Sequence, residues 1–288
     1  EGVQASIYDI GYPESVFDEF DVFVCAAPWY ATLSVIRQVM KRPGKFYFDL
    51  TEDVECGKLA RAGGASATMV PHCGLAPGAV SILAASLLPA TDIEIAVGAL
   101  PVDGHEDHFG KLRYANMWSI AGLVNEYTNT CYRIADGQIL PCAPMDNYRE
   151  LGTDYEQFNT SGGLGTLLDT FPQKGVRQLQ YQTIRFWGHH HYMSFLLEDL
   201  GFRQDKPGLV RLLEEALPEC DDDKVVIKIR ACLPEPTGRW SGMECTEINK
   251  LIKRTEDYSA IQRATAAGVV APLIFLTNNE HGSMLRGG

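Results

Sequence analysis

A chain of 288 residues, 45% hydrophobic and 22% charged, is long enough for two domains and has the composition of a globular protein, not a disordered or repetitive one. Its net charge of −12 and pI near 5.0, with no basic run longer than Lys41-Arg42, argue against a nucleic-acid surface, which needs clustered lysine and arginine. No apolar run reaches the roughly 20 residues that cross a bilayer, so no membrane span is expected.

In chain order, residues 3–9 read as the end of a strand and its loop. Residues 21–28 form a nearly continuous apolar run closed by Pro28, the mark of a buried parallel strand. A helix over 31–41 follows, with Leu33, Ile36, Val39 and Met40 on one face and Pro43-Gly44 at its end. The pattern repeats: a strand over 45–50, a helix start at Thr51-Glu52-Asp53, a short helix to Arg61, a stop at Gly63-Gly64, and a strand over 67–70. Pro71-His72-Cys73-Gly74-Leu75-Ala76-Pro77-Gly78 then leads into an apolar helix over 79–88. Strands alternating with helices at this spacing predict a doubly wound parallel sheet, whose ligands lie beyond the carboxyl ends of the strands. Those ends are Pro28-Trp29, residues 49–53 and the loop 71–78.

No Gly-x-Gly-x-x-Gly occurs in the chain. Gly162-Gly163-Leu164-Gly165 comes nearest, without a preceding apolar strand. Residues 1–90 therefore read as the carboxyl-terminal half of a dinucleotide-binding Rossmann domain, with the phosphate-binding turn expected upstream of Glu1.

From residue 91 the pattern changes. Ile93, Ile95, Val97 and Ala99 alternate as in a sheet with one wet or lightly covered face. A short helix over 118–128 delivers Glu126 and Tyr127, and Asp136-Gly137 between apolar runs is a hairpin signal. Residues 179–185 form a strand with Leu179, Tyr181, Thr183 and Arg185 on one side, followed by a glycine turn and a helix from His189. Another strand runs over 225–232. Together, residues 91–245 predict an antiparallel or mixed-sheet α+β domain, so the whole chain is α/β plus α+β. Residues 246–268 read as a helix returning to the first domain, and the tail to 288 as loosely held.

The eight cysteines, at 25, 56, 73, 131, 142, 220, 232 and 245, include no Cys-x-x-Cys pair. Several sit in apolar runs, where Cys packs as a small hydrophobe. Free thiols and a reducing, cytoplasmic compartment are expected.

Six separated stretches, in order, resemble the saccharopine dehydrogenase superfamily, and within it the saccharopine dehydrogenase-like and lysine 6-dehydrogenase branch. They are residues 21–28 and 49–53, Cys73-Gly74-Leu75-Ala76-Pro77-Gly78, Val124-Asn125-Glu126-Tyr127-Thr128, Phe158-Asn159-Thr160-Ser161-Gly162-Gly163-Leu164, and Tyr181-Gln182-Thr183-Ile184-Arg185-Phe186-Trp187-Gly188-His189. The resemblance implies a homodimeric enzyme that uses NAD or NADP to transfer hydride to or from the C–N carbon of an amino acid or carboxylated amine, such as lysine or saccharopine.

It also implies site residues. Pro28, Asp49, Cys73, Gly74 and Pro77 would lie on the cofactor side. Arg185 would grip a substrate carboxylate as a bidentate donor, with Tyr127, Thr160 and Gly163 beside it. Glu126 would hold the amine or take its proton. His189 would carry protons, because an unperturbed imidazole titrates near neutrality. Each has a plain structural counterpart: an edge-strand arginine, a salt-bridged glutamate, a turn-capping histidine. No metal site is expected, although His189, His190 and His191 leave a metal-dependent hydrolase as a distant alternative. The runner-up is a non-catalytic family member that acts as a binding or scaffold protein.

Overall fold

A computed structural model of the chain describes residues 15–27, 29–62, 67–234 and 243–278. The early strand over 3–9, Pro28 and the end of the tail lie outside the described residues. The chain divides into two compact units, residues 1–79 with 265–288, and residues 80–264.

In the smaller unit, a parallel sheet runs in the order β1 (Val22–Cys25), β2 (Phe46–Asp49), β3 (Thr68–Val70). Helix α1 (Val16–Glu19) precedes β1, α2 (Trp29–Val39) follows it, and α3 (Val54–Ala62) follows β2. Because side chains alternate across a strand, β2 buries both faces. Tyr47 packs with Ile36 and Val39 of α2 and with Cys56 and Ala60 of α3. Phe46 and Phe48 pack instead with Cys73, Val269, Leu273 and Leu276. The sheet is thus covered on both sides, as the alternation of strands and helices predicts. Fully burying a phenylalanine such as Phe48 contributes roughly 1.5–3 kcal/mol.

The larger unit opens with α4 (Ala79–Ala85), whose first residue belongs to the smaller one, and is built on a mixed sheet. Its order is β11 (Met243–Lys253), β10 (Asp223–Pro234), β4 (Asp92–Pro101), β9 (Gln178–Phe186), β5 (Cys131–Ala135), β6 (Gln138–Cys142). Strand β8 (Tyr155–Asn159) also pairs with β9, and β7 (Arg149–Leu151) with β8. The β4–β9 pair is parallel and the others antiparallel. The register aligns Ile93, Ile95, Val97 and Ala99 with Leu179, Tyr181 and Thr183 on one side and with Val225, Ile227, Ile229 and Ala231 on the other. Glu94, Gln180 and Arg230 share the opposite face, which is the wetter one. The β5–β6 turn has Asp136 at φ 52° and Gly137 at φ 79°, both left-handed as a tight hairpin turn requires.

Short helices α5 (Glu106–Phe109) and α7 (Leu167–Thr170) sit in connections. Helices α6 (Ile120–Thr128), α8 (His189–Ser194) and α9 (Lys206–Ala216) form one cluster through Leu123, Val124, Met193, Leu209 and Leu213.

Three expectations need correction. Residues 246–253 are strand, not helix. Ile248, Leu251 and Ile252 have helical spacing, but β11 is paired with β10 along all eleven residues. As an edge strand it is solvated on both sides, so its charges follow no two-residue alternation.

The helix α10 (Ala260–Asn278) starts later and runs on through Pro272, where a loose tail was expected. Its beginning is fixed by Asp223, fully buried, whose carboxylate accepts from the amides of Ala260 and Ile261. A carboxylate there satisfies donors that the helix cannot.

Finally, Cys232 and Cys245 stand directly opposite on β10 and β11 and form a disulfide, while the other six cysteines are free. Reading residue 245 at the threshold of a helix concealed that pairing.

Removing the carboxylate in Asp223→Ala leaves the first amides of α10 unmet and is expected to cost about 1–3 kcal/mol. Urea unfolding followed by circular dichroism measures it, and Asp223→Asn should recover part of the loss.

Candidate functional site

Four of the residues singled out from sequence meet in the larger unit. Helix α6 is started by Ser119, whose hydroxyl accepts from the Gly122 amide at 3.1 Å. Its apolar face then turns Glu126 and Tyr127, in the last turn, into the interior. Arg185, near the end of β9, is 2% exposed.

Its guanidinium donates from Nε to the Tyr127 hydroxyl at 2.8 Å, from Nη1 to the Ile184 carbonyl at 2.9 Å and from Nη2 to Glu126 Oε2 at 3.3 Å. It also lies over the rings of Tyr114 and Tyr127, 5.2 and 5.8 Å from their centres, where the ring faces attract a cation. In this arrangement the cation is committed to partners of its own chain.

His189 completes the cluster. Its Nδ1 lies 3.1 Å from the Leu112 carbonyl and its Nε2 lies 3.0 Å from the Tyr127 hydroxyl. A carbonyl can only accept, so Nδ1 carries the hydrogen and Nε2 accepts from the tyrosine. The bonds then run in one direction, from Arg185 to Tyr127 to His189, while His189 donates to Leu112.

Glu156 holds the turn that aims the imidazole. It sits opposite Arg185 on β8, and its carboxylate accepts from the amides of Gly188, at 2.9 Å, and of His190. His190 instead reaches the Met145 carbonyl at 2.8 Å, and the ring of His191 lies beside Tyr192, so the three histidines diverge.

Burial, then the neighbouring Arg185 charge, hold the His189 imidazole well below its usual pKa. The near-neutral titration assumed for a proton-carrying histidine therefore does not apply at this position. Burial pushes the Glu126 carboxyl up to about 7, against the pull of Arg185. Glu126 is thus the member of the cluster that changes charge near neutrality. Burial also raises the Tyr127 phenol far above its ordinary value.

The loop after β8 is stitched to α6. Ser161 donates from its amide to the Glu126 carbonyl at 3.0 Å and from its hydroxyl to the Asn125 carbonyl at 3.1 Å. This places Thr160 beside the last turn of α6. The Thr160 hydroxyl is buried and has no hydrogen-bond partner among the described residues, a state a native structure keeps at a cost unless water or a ligand meets it. Gly163 lies flat on the Tyr181 ring, which a Cβ would meet at 2.3 Å. Gly163 serves that close approach, while Gly162 and Gly165 hold left-handed backbone, at φ 90° and 46°.

In the smaller unit, Asp49 ends β2 fully buried. Its Oδ1 accepts from the amides of His72, at 3.0 Å, and Thr51, at 3.2 Å, and its carbonyl accepts from the Cys73 amide at 2.7 Å. The carboxyl is raised by burial. The loop after β3 closes on itself: Ala79 donates to the Gly74 carbonyl at 2.8 Å, and a Cβ on Gly78 would meet that same oxygen at 2.2 Å. Pro77 follows a cis peptide bond within it. A Cβ on Gly268 of α10 would also fall 2.0 Å from the Gly74 carbonyl, so the helix backbone packs directly on the loop. The Cys73 thiol is buried, donates to the Val70 carbonyl at 3.2 Å, and is pushed up to about 12 by burial and then by Asp49. It packs; it is not a poised nucleophile.

Asp49, Cys73, Gly74 and Pro77 therefore come together as one buttressed loop. Asp49 turns its carboxyl inward to amides, and among the described residues no glycine-rich strand-to-helix turn offers a cradle for a pyrophosphate. These residues do not by themselves fit a whole dinucleotide.

Tyr114, Glu156 and the Leu112 carbonyl were not among the residues the sequence pointed to. Glu156 lies on a strand whose alternation is too short to read, and its place opposite Arg185 depends on register.

A family model for the saccharopine dehydrogenase C-terminal domain matches residues 74–277, well over half of the chain. The chain belongs to the saccharopine dehydrogenase C-terminal domain family. Its fold is similar to that of apo histidine-tagged saccharopine dehydrogenase (L-Glu forming) from Saccharomyces cerevisiae, with a TM-score of 0.69 and 14% identity over 96% of this chain and 80% of that one. At that identity the likeness concerns the fold. The match takes in all four residues of the buried cluster in this saccharopine dehydrogenase-like chain. No described helix is long and apolar enough to cross a membrane.

The raised Glu126 pKa has a consequence for stability. A carboxyl near 7 in the folded chain and near 4.3 when unfolded holds its proton longer when folded, so stability falls as pH rises through that window. Glu126→Gln keeps the uncharged shape, and urea unfolding at pH 5 and pH 8 should find the variant gaining on the parent as pH rises. Tyr127→Phe, which breaks two buried bonds, should cost about 1–3 kcal/mol at either pH.

Proposed function

We propose that this chain is the substrate-handling part of an NAD(P)-dependent oxidoreductase acting on the C–N bond of an amino acid or carboxylated amine of the lysine or saccharopine kind. The observation that carries the reading is the buried Glu126–Arg185–Tyr127–His189 cluster, next to a Thr160 hydroxyl that meets no partner among the described residues. Oxidation of an amine requires a group that accepts a proton at neutral pH, and Glu126, raised to about 7, is suited to it. Arg185 compensates that carboxylate as it ionises and holds the Tyr127 hydroxyl towards His189, which makes it a positioning residue. The unpartnered hydroxyl of Thr160 suits a substrate carboxylate, whose oxygens accept hydrogen bonds. Family resemblance supports a nicotinamide cofactor, a homodimer and a cytoplasmic setting as parts of the same proposal.

A second reading is a family member that binds without catalysing. The internal commitment of Arg185, 2% exposed, favours it, because a substrate carboxylate would have to compete with Glu126.

Calorimetric titration of the chain with L-lysine, saccharopine and a carboxylated polyamine, with and without NADH or NADPH, separates the two. The enzyme reading expects one of these amines to bind with an affinity that changes around pH 7, and Glu126→Gln to remove that pH dependence. Amine binding with no pH dependence favours the binding protein, and no binding of any of them removes the substrate assignment.

A further inference from the structure

Outside the cluster just described, the β5–β6 hairpin carries a second piece of chemistry. Cys131 and Cys142 are directly opposed partners in its ladder, and both are free. Directly opposed residues on antiparallel strands have Cα atoms roughly 4.5 or 5.5 Å apart, depending on the type of pair. Both spacings lie within the range a disulfide bridges, about 4.4–6.8 Å. The same sheet already closes one such pair, Cys232 with Cys245 on β10 and β11.

The two thiols differ in access. Cys131 is 2% exposed. Cys142 is half-buried and lines a cavity of about 390 Å³ together with Arg133, Arg149, Asn147, Asp146 and Gln180. Arg149 meets Glu94 at 3.5 Å, between side chains that are both nearly half exposed, and such a pair opens readily to a competing anion. Burial raises the Cys142 thiol, while Arg133 works the other way and favours the thiolate. The cavity thus offers two guanidiniums for carboxylates, an aspartate for an amino group, and one sulfur.

We propose that Cys131 and Cys142 form a thiol–disulfide exchange site for a low-molecular-weight disulfide bearing carboxylate and amino groups, held by Arg133, Arg149 and Asp146. The Cys142 thiolate attacks one sulfur of the disulfide, forming a mixed disulfide and releasing one thiolate of the small molecule. Cys131, giving its proton to solvent, then attacks Cys142, forms the Cys131–Cys142 bond and releases the second thiolate. In balance, two protein thiols become one disulfide, and the small disulfide is reduced to two thiols that take up the two protons.

Glutathione disulfide is the probe. The full chain, with its thiols reduced, is incubated with it, quenched with N-ethylmaleimide, digested with trypsin without reductant and mapped by mass spectrometry. Cleavage after Arg133 separates Cys131, in peptide 114–133, from Cys142, in peptide 134–149. Linkage of Cys232 to Cys245 appears separately, as peptide 231–239 joined to 240–250. The expected product is 114–133 joined to 134–149, reversed by dithiothreitol. Cys131→Ser should stop at glutathione on Cys142. Arg133→Ala with Arg149→Ala leaves both cysteines in one tryptic peptide, 114–174; followed by loss of that peptide's two N-ethylmaleimide adducts, its reaction should be slowed at least tenfold, to the rate given by the uncharged 2-hydroxyethyl disulfide.

Recovery of both peptides alkylated, while 231–239 and 240–250 become linked, overturns the site. Equal rates for the charged and uncharged disulfides overturn the role of the arginines and with it the class of ligand. A link made by peroxide and not by glutathione disulfide overturns the exchange chemistry.

Discussion

A permanently charged guanidinium inside a sheet is the constraint from which most of the larger unit's polar architecture follows. Taking such a group out of water costs several kcal/mol, which is offset only when its donors are met and an opposite charge is near. Arg185 sits on β9, between the parallel partner β4 and the antiparallel strands β5 and β8, so its partners must come from what packs on that face. Helix α6 supplies two consecutive residues, Glu126 as the charge and Tyr127 as an oxygen. Tyr114 supplies a ring face. Tyr127, having accepted from Arg185, donates onward, and His189 must receive. The Leu112 carbonyl on the far side of the imidazole fixes which nitrogen can do so.

The electrostatic outcome follows from the same arrangement. One cation faces one carboxyl in a dry environment, and burial outweighs attraction enough to bring Glu126 close to neutrality while leaving His189 uncharged. The titratable member of the site is therefore the carboxyl and not the histidine. This reverses the usual expectation, which rests on pKa values in water.

Buried carboxylates perform a different task elsewhere. Asp49 in the smaller unit, and Glu156 and Asp223 in the larger one, each accept from two backbone amides and so fix a loop or a helix start where the chain changes direction. In each case the carboxylate replaces water around donors that regular structure leaves unmet. Glycine makes the complementary contribution by omission. Gly163 against Tyr181 and Gly268 against Gly74 are places where two parts of a unit approach more closely than a Cβ permits.

Much of the fold was legible because it rests on local periodicity. The apolar runs of β1 and β2, the helices between them, the Asp136-Gly137 hairpin and the alternation in β4 each carry their signal within a few residues. β11 was not legible, since an edge strand with Ile248, Leu251 and Ile252 has helical spacing by coincidence and its identity comes from pairing with β10. The Cys232–Cys245 bond was hidden with it. Among the site residues, Arg185, Glu126, Tyr127 and His189 stood out as chemistry-bearing types in distinctive stretches. Their mutual engagement depends on the register of β9 and the rotation of α6, which only the assembled unit specifies.

The central claim, that a buried cation fixes a neutral, directionally bonded histidine beside a titrating carboxyl, is tested most directly by nitrogen-15 NMR of the His189 ring from pH 5 to pH 9. The account predicts a neutral imidazole with hydrogen on Nδ1 throughout that range. Protonation of His189 with a midpoint near 6.5, or a hydrogen on Nε2 instead, would contradict it.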